Sequence, residues 1–312
     1  MIDYKGEKRE VRYYIWEGNR ITKARLYGGQ LIDCNCRDYD GEIPYFYPKI
    51  KFFYENGRKF EIRTPIGGIE QLYTRRNLLI LADIFDQIQK NDDKVLTAFF
   101  VTVQESSKSQ VERHGTTGIP SLWIPSKTFI ESNPYRHFES SIERVNSIGL
   151  NVKEGSLDDV LSGNADVTFL VNDAKKLPLD DETIDLIVTD PPFFDEIQYF
   201  ELSYIYASWL GIKLDFENEI VVNYARRKNE PRYLADMEKA IAEMHRILKK
   251  NKYAIIMFHE EDDIKLNQIK NIISKYFSIE KIENEKMQQR NIGDRDIKRG
   301  RDLKVFITKK IN

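Results

Sequence analysis

The sequence predicts an α/β protein, built on a mostly parallel sheet covered on both faces and preceded by an N-terminal α+β extension. Three observations lead there. From residue 165 onward, strand-like and helix-like stretches alternate, the rhythm of a parallel sheet with crossover helices. The first 70 residues are instead rich in Tyr, Phe and Gly, with turn signals at Gly28-Gly29, Asp40-Gly41, Asn56-Gly57 and Gly67-Gly68. The chain has 312 residues, 41% of them apolar, enough for a sizeable core or two smaller ones. The change of rhythm divides it into residues 1–150 and 151–312.

The elements follow in order. KIKFFYENGRKFEIR reads as a hairpin around Asn56-Gly57. From Thr74, TRRNLLILADIFDQIQK places apolar residues at 78, 81, 84, 85 and 88 behind a Thr cap, a helix. LTAFFVTVQESSKSQ fits either period, and its length favours a second, buried helix. HGTTGIPSLWIPSK reads as loop. NPYRHFESSIERVNSIG opens with Pro134 at a first helical position and closes on Gly149. ADVTFLVND and TIDLIVTD read as strands, IQYFELSYIYASWL and PRYLADMEKAIAEMHRILKK as helices, YAIIMFHE as a buried strand and DDIKLNQIKNIISKY as a helix. SIEKIENE and LKVFITKK close the chain as two strands, antiparallel because no helix separates them.

Composition narrows the classes. No run approaches the roughly 18 apolar residues that a membrane helix needs, and MIDYKGEKRE lacks an apolar signal region. A cytoplasmic chain is the expectation. Cys34 and Cys36, spaced C-N-C, make no disulfide framework and at best half of a thiolate metal site, so no metal is expected. The formal charge of -2 does not advertise a polyanion as partner, but residues 286–310 hold nine Lys/Arg against three Asp, which suits phosphate. Arg295, Lys298, Arg299 and Arg301 in that stretch, and Arg75 and Arg76 earlier, are candidate phosphate contacts, as are Arg226, Arg227 and Lys228. A solvated surface is the alternative reading of each.

One stretch, IVTDPPFFDEIQYFELSYIYASWL, needs its own account. Leu186-Ile187-Val188 is an apolar strand that runs straight into Asp190-Pro191-Pro192-Phe193. In an open α/β sheet, ligands sit beyond the carboxyl ends of the strands. Two prolines fix φ and lack donors, so the turn is stiff and presents an acid and a backbone carbonyl in a set position. Phe193 and Phe194 add flat apolar faces. Acceptors beside an aromatic platform suit a planar ligand that bears an amino group.

Asp190-Pro191-Pro192-Phe193 resembles the [DNS]-P-P-[YFW] motif of S-adenosylmethionine-dependent amino-methyltransferases. TDPPFFDEIQYFELSYIYASWLG is similar to the motif region T-D-P-P-Y-x-D-x-[IV]-x-Y-x-E-L-S-x-F-x-x-x-W-L of prokaryotic DNA methylases. IPYFYPKIKFFYENG, LYTRRNLLILADIF, NPYRHFESSIERV, FENEIVVN and EMHRILKKNKYAIIMFHE look similar in the same order, so the likeness extends over most of the chain from about residue 40. The resemblance implies a Rossmann-like class I methyltransferase sheet, S-adenosylmethionine as cofactor and DNA as partner. It also implies that residues 1–150 contact DNA or another protein. In such an enzyme Asp190 and the Pro191 carbonyl accept the two amino hydrogens of a flipped base, on which Phe193 stacks. Asp at the first motif position leans toward adenine N6. Cytosine N4 stays open, as do an RNA substrate and a nucleic-acid-binding subunit without catalysis.

The resemblance assigns further roles. Asp173, with Asn172 beside it, ends the strand before, where an acid holds the adenine amino group of the cofactor; a helix cap is the alternative for Asp173. Asp195, Tyr199, Glu201 and Ser203 follow the motif, and His259 stands at another strand end. One part is missing. The family carries a glycine turn, D-P-F-x-G-x-G-T, on a central strand beside the one that ends in the acid. YGGQLIDC, RTPIGGIEQLYT and HGTTGIP do not follow apolar strands and fit that turn poorly. Either residues 1–70 provide a degenerate equivalent of that turn, or the sheet is incomplete in this chain and a second protein chain supplies it; the favoured expectation is the second, with a homo-oligomer as its alternative.

Overall fold

The computed structural model describes residues 11–26, 29–34, 37–65, 67–88, 90, 92–113, 116–118, 123–147, 152–287 and 301–311. The chain is mixed α/β and divides into two compact units: residues 1–151 with 200–214, and residues 152–199 with 215–312. No helix among the described residues is long and apolar enough to cross a membrane.

In the first unit, β1 (Val11–Glu17), β2 (Arg20–Leu26) and β3 (Leu31–Asp33) form an antiparallel meander. The helices α1 (Arg75–Gln87) and α2 (Asp93–Glu105) follow, then a short hairpin of β4 (Val111–Arg113) and β5 (Thr116–Gly118). Its second strand falls where the sequence reads as loop. Next come β6 (Thr128–Ser132) and α3 (Pro134–Ser147). The sheet order is β3-β2-β1-β6, all neighbours antiparallel. Trp16 stacks on Phe129 at 5.4 Å within its core. Thr74 caps α1 by accepting from the Asn77 N–H at 3.2 Å, and Asp92 caps α2. The expected hairpin forms around Gly57 at φ +78°, with the Tyr54 N–H donating to the Arg58 carbonyl at 2.8 Å. Cys34 is buried.

This unit also takes in residues 200–214. Trp209 is 1% exposed, its ring 5.0 Å from that of Phe85 and 5.3 Å from that of Phe99. Trp123 donates its indole N–H to the Leu202 carbonyl at 3.0 Å. The chain thus leaves the second unit just after the proline turn, completes the aromatic core of the first and returns.

The second unit begins with α4 (Leu157–Leu161), closed by a capping box between Ser156 and Asp159. It continues through β7 (Ile184–Thr189), the start of α5 (Tyr199–Leu210), α6 (Glu230–Ile247), β8 (Leu248–His259), α7 (Asp263–Tyr276), β9 (Phe277–Met287) and β10 (Arg301–Lys310). The sheet order is β7-β8-β10-β9. The core is Tyr233, Met237 and Ile241 of α6 and Ile269, Ile272 and Ile273 of α7 against Ala254, Ile256, Phe258 and Phe306.

Two expectations are corrected here. The sheet is not mostly parallel: only β7 and β8 run parallel, while β8, β10 and β9 are antiparallel neighbours. And residues 165–173 are not a strand. Val167 makes one isolated parallel bridge with Glu154, and Phe169 (78% exposed) and Val171 stand in solvent. Both corrections have one cause. A strand needs a hydrogen-bonded neighbour, and among the described residues β7 has none on its outer side.

Candidate active site at the end of β7

The Asp190 turn sits at the carboxyl end of β7, and three elements hold it. From α6, Tyr233 donates its hydroxyl to the Pro192 carbonyl at 2.5 Å. From the loop before α6, the Val222 N–H donates to the Phe194 carbonyl at 2.8 Å, and the Val222 carbonyl accepts from the Gln198 side chain at 3.0 Å. Asn223 donates to that same Gln198 amide at 2.8 Å. Within the turn, the Glu196 N–H donates to the Phe193 carbonyl at 2.9 Å. Phe194 adopts φ +44°, a left-handed conformation unusual for a bulky residue. Its buried ring lies 4.5 Å from Tyr233, with the Lys265 ammonium 4.8 Å from its centroid. The ring is locked by packing, and that packing holds the backbone in its strained state.

Asp190 projects from this support into solvent. Partial burial raises its carboxyl pKa above the usual value. Phe193 is half-buried, its ring edge-on to Phe258 at 4.9 Å and to His259 at 6.1 Å. Tyr199, 42% exposed, has its phenol pKa raised by burial and then by the Asp190 charge. The structure thus gathers Asp190, Pro192, Phe193, His259 and Tyr199 at one end of β7 and β8.

The remaining candidates are placed differently. Asp173 closes a tight turn: one carboxylate oxygen accepts the Lys175 N–H at 2.9 Å, and the other lies 3.5 Å from the Lys175 ammonium. Asn172 accepts the Asp173 N–H at 2.9 Å. Glu201 is fully buried in the first unit, where it accepts from the Ile62 N–H at 2.8 Å and from the Tyr54 hydroxyl. Arg76 is bound to buried Glu131 at 3.0 Å and stands over the Tyr14 ring, while Arg75 donates to the Gly41 carbonyl. Arg226 pairs with Glu219 at 2.6 Å, both nearly inaccessible, and Lys228 is buried with its ammonium on the Glu219 carbonyl. Arg76, Arg226 and Lys228 therefore hold the fold, and of the Arg226-Arg227-Lys228 run only Arg227 is exposed. Arg295, Lys298 and Arg299 lie outside the described residues, as does the side chain of Arg301, whose backbone pairs with Met287.

Tyr233, Gln198 and Asn223 are the site-supporting residues that the sequence did not single out. Tyr233 and Asn223 lie in NYARRKNEPRYL and Gln198 in IQYFELSYIYASWL, stretches that carry no local sign of a bond to the turn. A second polar cluster lies in the first unit. His137 contacts Ser132 at 2.7 Å and Glu105 at 2.6 Å beside a cavity of about 450 Å³. The Ser132 hydroxyl donates to Gln110 at 2.9 Å, so its proton points away from the imidazole, and the cluster ties β6 to α2 and α3.

No known protein family matches the chain, and no curated protein does either. Among solved structures, the PH0226 protein from Pyrococcus horikoshii OT3 is similar over 54% of this chain and 76% of its own, with 16% identity and a TM-score of 0.26. A likeness at that level says nothing of activity.

Proposed function

We propose that this chain is the catalytic-motif part of a Rossmann-like S-adenosylmethionine-dependent amino-methyltransferase that acts on DNA, with adenine N6 as target. The observation that carries the reading is the Asp190-Pro191-Pro192-Phe193 turn, stiffened by its prolines and clamped at Pro192 by Tyr233. An exocyclic amine is a poor nucleophile because its lone pair is delocalised into the ring. Asp190 and the Pro191 carbonyl each accept one amino hydrogen, which favours a pyramidal nitrogen and frees the lone pair. Phe193 offers the face beside the base. A fixed acceptor pair contributes through positioning and electrostatics, with no reorganisation at the moment of reaction.

The residues fit the cofactor in part. S-adenosylmethionine would supply an electrophilic methyl on a sulfonium. Asp190 and Phe193 suit the methyl end, and Asp173 suits the adenine amine through the oxygen that Lys175 does not fully occupy. A glycine cradle for the methionine end is lacking among the described residues of the second unit: Gly155, which follows no strand, is filled against Ala165, where an added Cβ would come within 2.6 Å. The methionine end therefore falls to another chain that carries the glycine turn.

The test is Asp190→Asn in the assembled enzyme, with labelled methyl incorporation into DNA as readout. Loss of one preorganised charge interaction of this kind costs about 100- to 1,000-fold in turnover. Turnover within threefold of the unaltered enzyme refutes the reading.

A further inference from the structure

The second unit carries an unfinished sheet. β7 ends the order β7-β8-β10-β9, so one of its edges has no hydrogen-bonded neighbour among the described residues. Ile187 packs onto the core, whereas Leu186 and Val188, on the opposite face, are 53% and 59% exposed. Edge strands are normally blunted by charge, proline or a covering loop. Here Asp185, the one charge in β7, is tied to Lys249 at 2.7 Å and Lys252 at 3.1 Å and does not guard the edge. A second unsatisfied segment belongs to the same unit: Phe169, Leu170 and Val171 are all exposed, and Val171 completely so. It pairs with neither β7 nor any other strand, although its composition is that of one.

We propose that a different protein chain adds a strand to the outer edge of β7 and that this addition also orders residues 167–172 as a strand. Strand addition supplies the missing backbone partners, gives Leu186 and Val188 cross-strand neighbours on their own face of the sheet, and offers residues 169–171 a strand to pair with. The incoming strand runs parallel to β7. In that sense its own carboxyl end, and the loop that follows it, arrive beside Asp190. Charge selects the partner. Residues 152–190 hold ten Asp/Glu and three Lys, a net of 3 − 10 = −7. Arg246, Lys310, Lys249 and Lys252 offset Asp181, Glu182 and Asp185, which leaves the acidic excess on the rest. A second copy of this chain would bring an identical acidic segment against the first, and like charges across an interface are unfavourable. The partner is therefore a separate chain with an apolar strand flanked by Lys or Arg. What its loop carries rests on the methyltransferase reading; the strand addition does not.

The experiment uses the full chain, alone and co-expressed with each chain of the same genome in which an apolar strand with basic flanks runs into a glycine-rich turn. Sedimentation and backbone hydrogen exchange are the readouts. The expected result is a 1:1 complex in which amides 167–172 and those of 185–189 that point away from β8, fast to exchange in the isolated chain, slow at least tenfold. Val188→Lys, at an exposed site, should weaken the complex at least 30-fold while its unfolding temperature stays that of the unaltered chain. Three results overturn the proposal: slow exchange in the monomer of the 185–189 amides that point away from β8, a self-dimer that Val188→Lys dissociates, or no complex with any such chain. A complex with strand protection but no methyl transfer removes the enzymatic reading and leaves the docking. Methyl transfer by the isolated chain does the reverse.

Discussion

Asp190 is exposed enough to meet a substrate and desolvated enough to hold its proton more tightly than a free carboxyl. Only the ionised carboxylate accepts an amino hydrogen without carrying a competing proton of its own. On the proposed reading, methyl transfer should therefore fall as pH drops through this raised pKa, and the residual turnover of an Asp190→Asn enzyme should lack that acidic limb. Lys228 gives a second pH signature. Burial, then the nearby Arg226 and Arg232 charges, lowers its pKa to about 8 from 10.5. Between those values the unfolded chain binds the extra proton, so stability rises with pH across the window. Lys228→Met should flatten that rise in urea unfolding between pH 7.5 and 10.5; an unchanged slope would mean the ammonium is not desolvated. Arg226-Arg227-Lys228 looks like a solvated charge run in the sequence, because spacing does not record which charges a loop folds inward. The Asp-Pro-Pro-Phe turn was legible for the opposite reason: proline restricts its own backbone, so a local pattern suffices.

Helices declared themselves by caps and period. Thr74 at the start of α1 was readable as a cap, yet it does more than cap: its hydroxyl donates to buried Glu131 at 2.7 Å. Thr74→Ala removes both contacts and should lower stability by about 2 kcal/mol, whereas Thr74→Ser should recover most of it in the same denaturant titration. Equal losses for Ala and Ser would assign the effect to the methyl group instead. Strands were read less well. ADVTFLVND and TIDLIVTD carry similar patterns, and only the second forms a strand, because α6 leads back to a parallel neighbour in β8. Periodicity reports that a segment could pair, not that a neighbour is present. Tyr233 shows the same limit from the other side. Its place in an amphipathic helix predicts burial, but its bond to Pro192 depends on a residue 41 positions earlier. Tyr233→Phe should cost about 1 kcal/mol in stability and, on the proposed reading of the turn it steadies as the reacting one, lower turnover by more than that loss explains.

At the scale of the molecule, the simple division at residue 150 misses how the chain is threaded. Residues 200–214 belong with the first unit, and Trp209 fills its aromatic core among Phe85, Phe99 and Phe46. Expressed alone, residues 1–151 should bind apolar dyes and unfold without a sharp transition, and Trp209→Ala in the full chain should cost about 3–5 kcal/mol. A cooperative melt from the isolated fragment would show that the tryptophan is dispensable. The bare edge of β7 has a further consequence, for the cell rather than for the fold. Such a strand templates whatever extended chain meets it first, copies of itself in misfolded form included. Made in surplus, the protein would be an orphan subunit, prone to aggregate and exposed to degradation. If a companion strand covers that edge as proposed, the supply of the companion sets the safe abundance of this chain, and matched synthesis of the two becomes a requirement written into one strand.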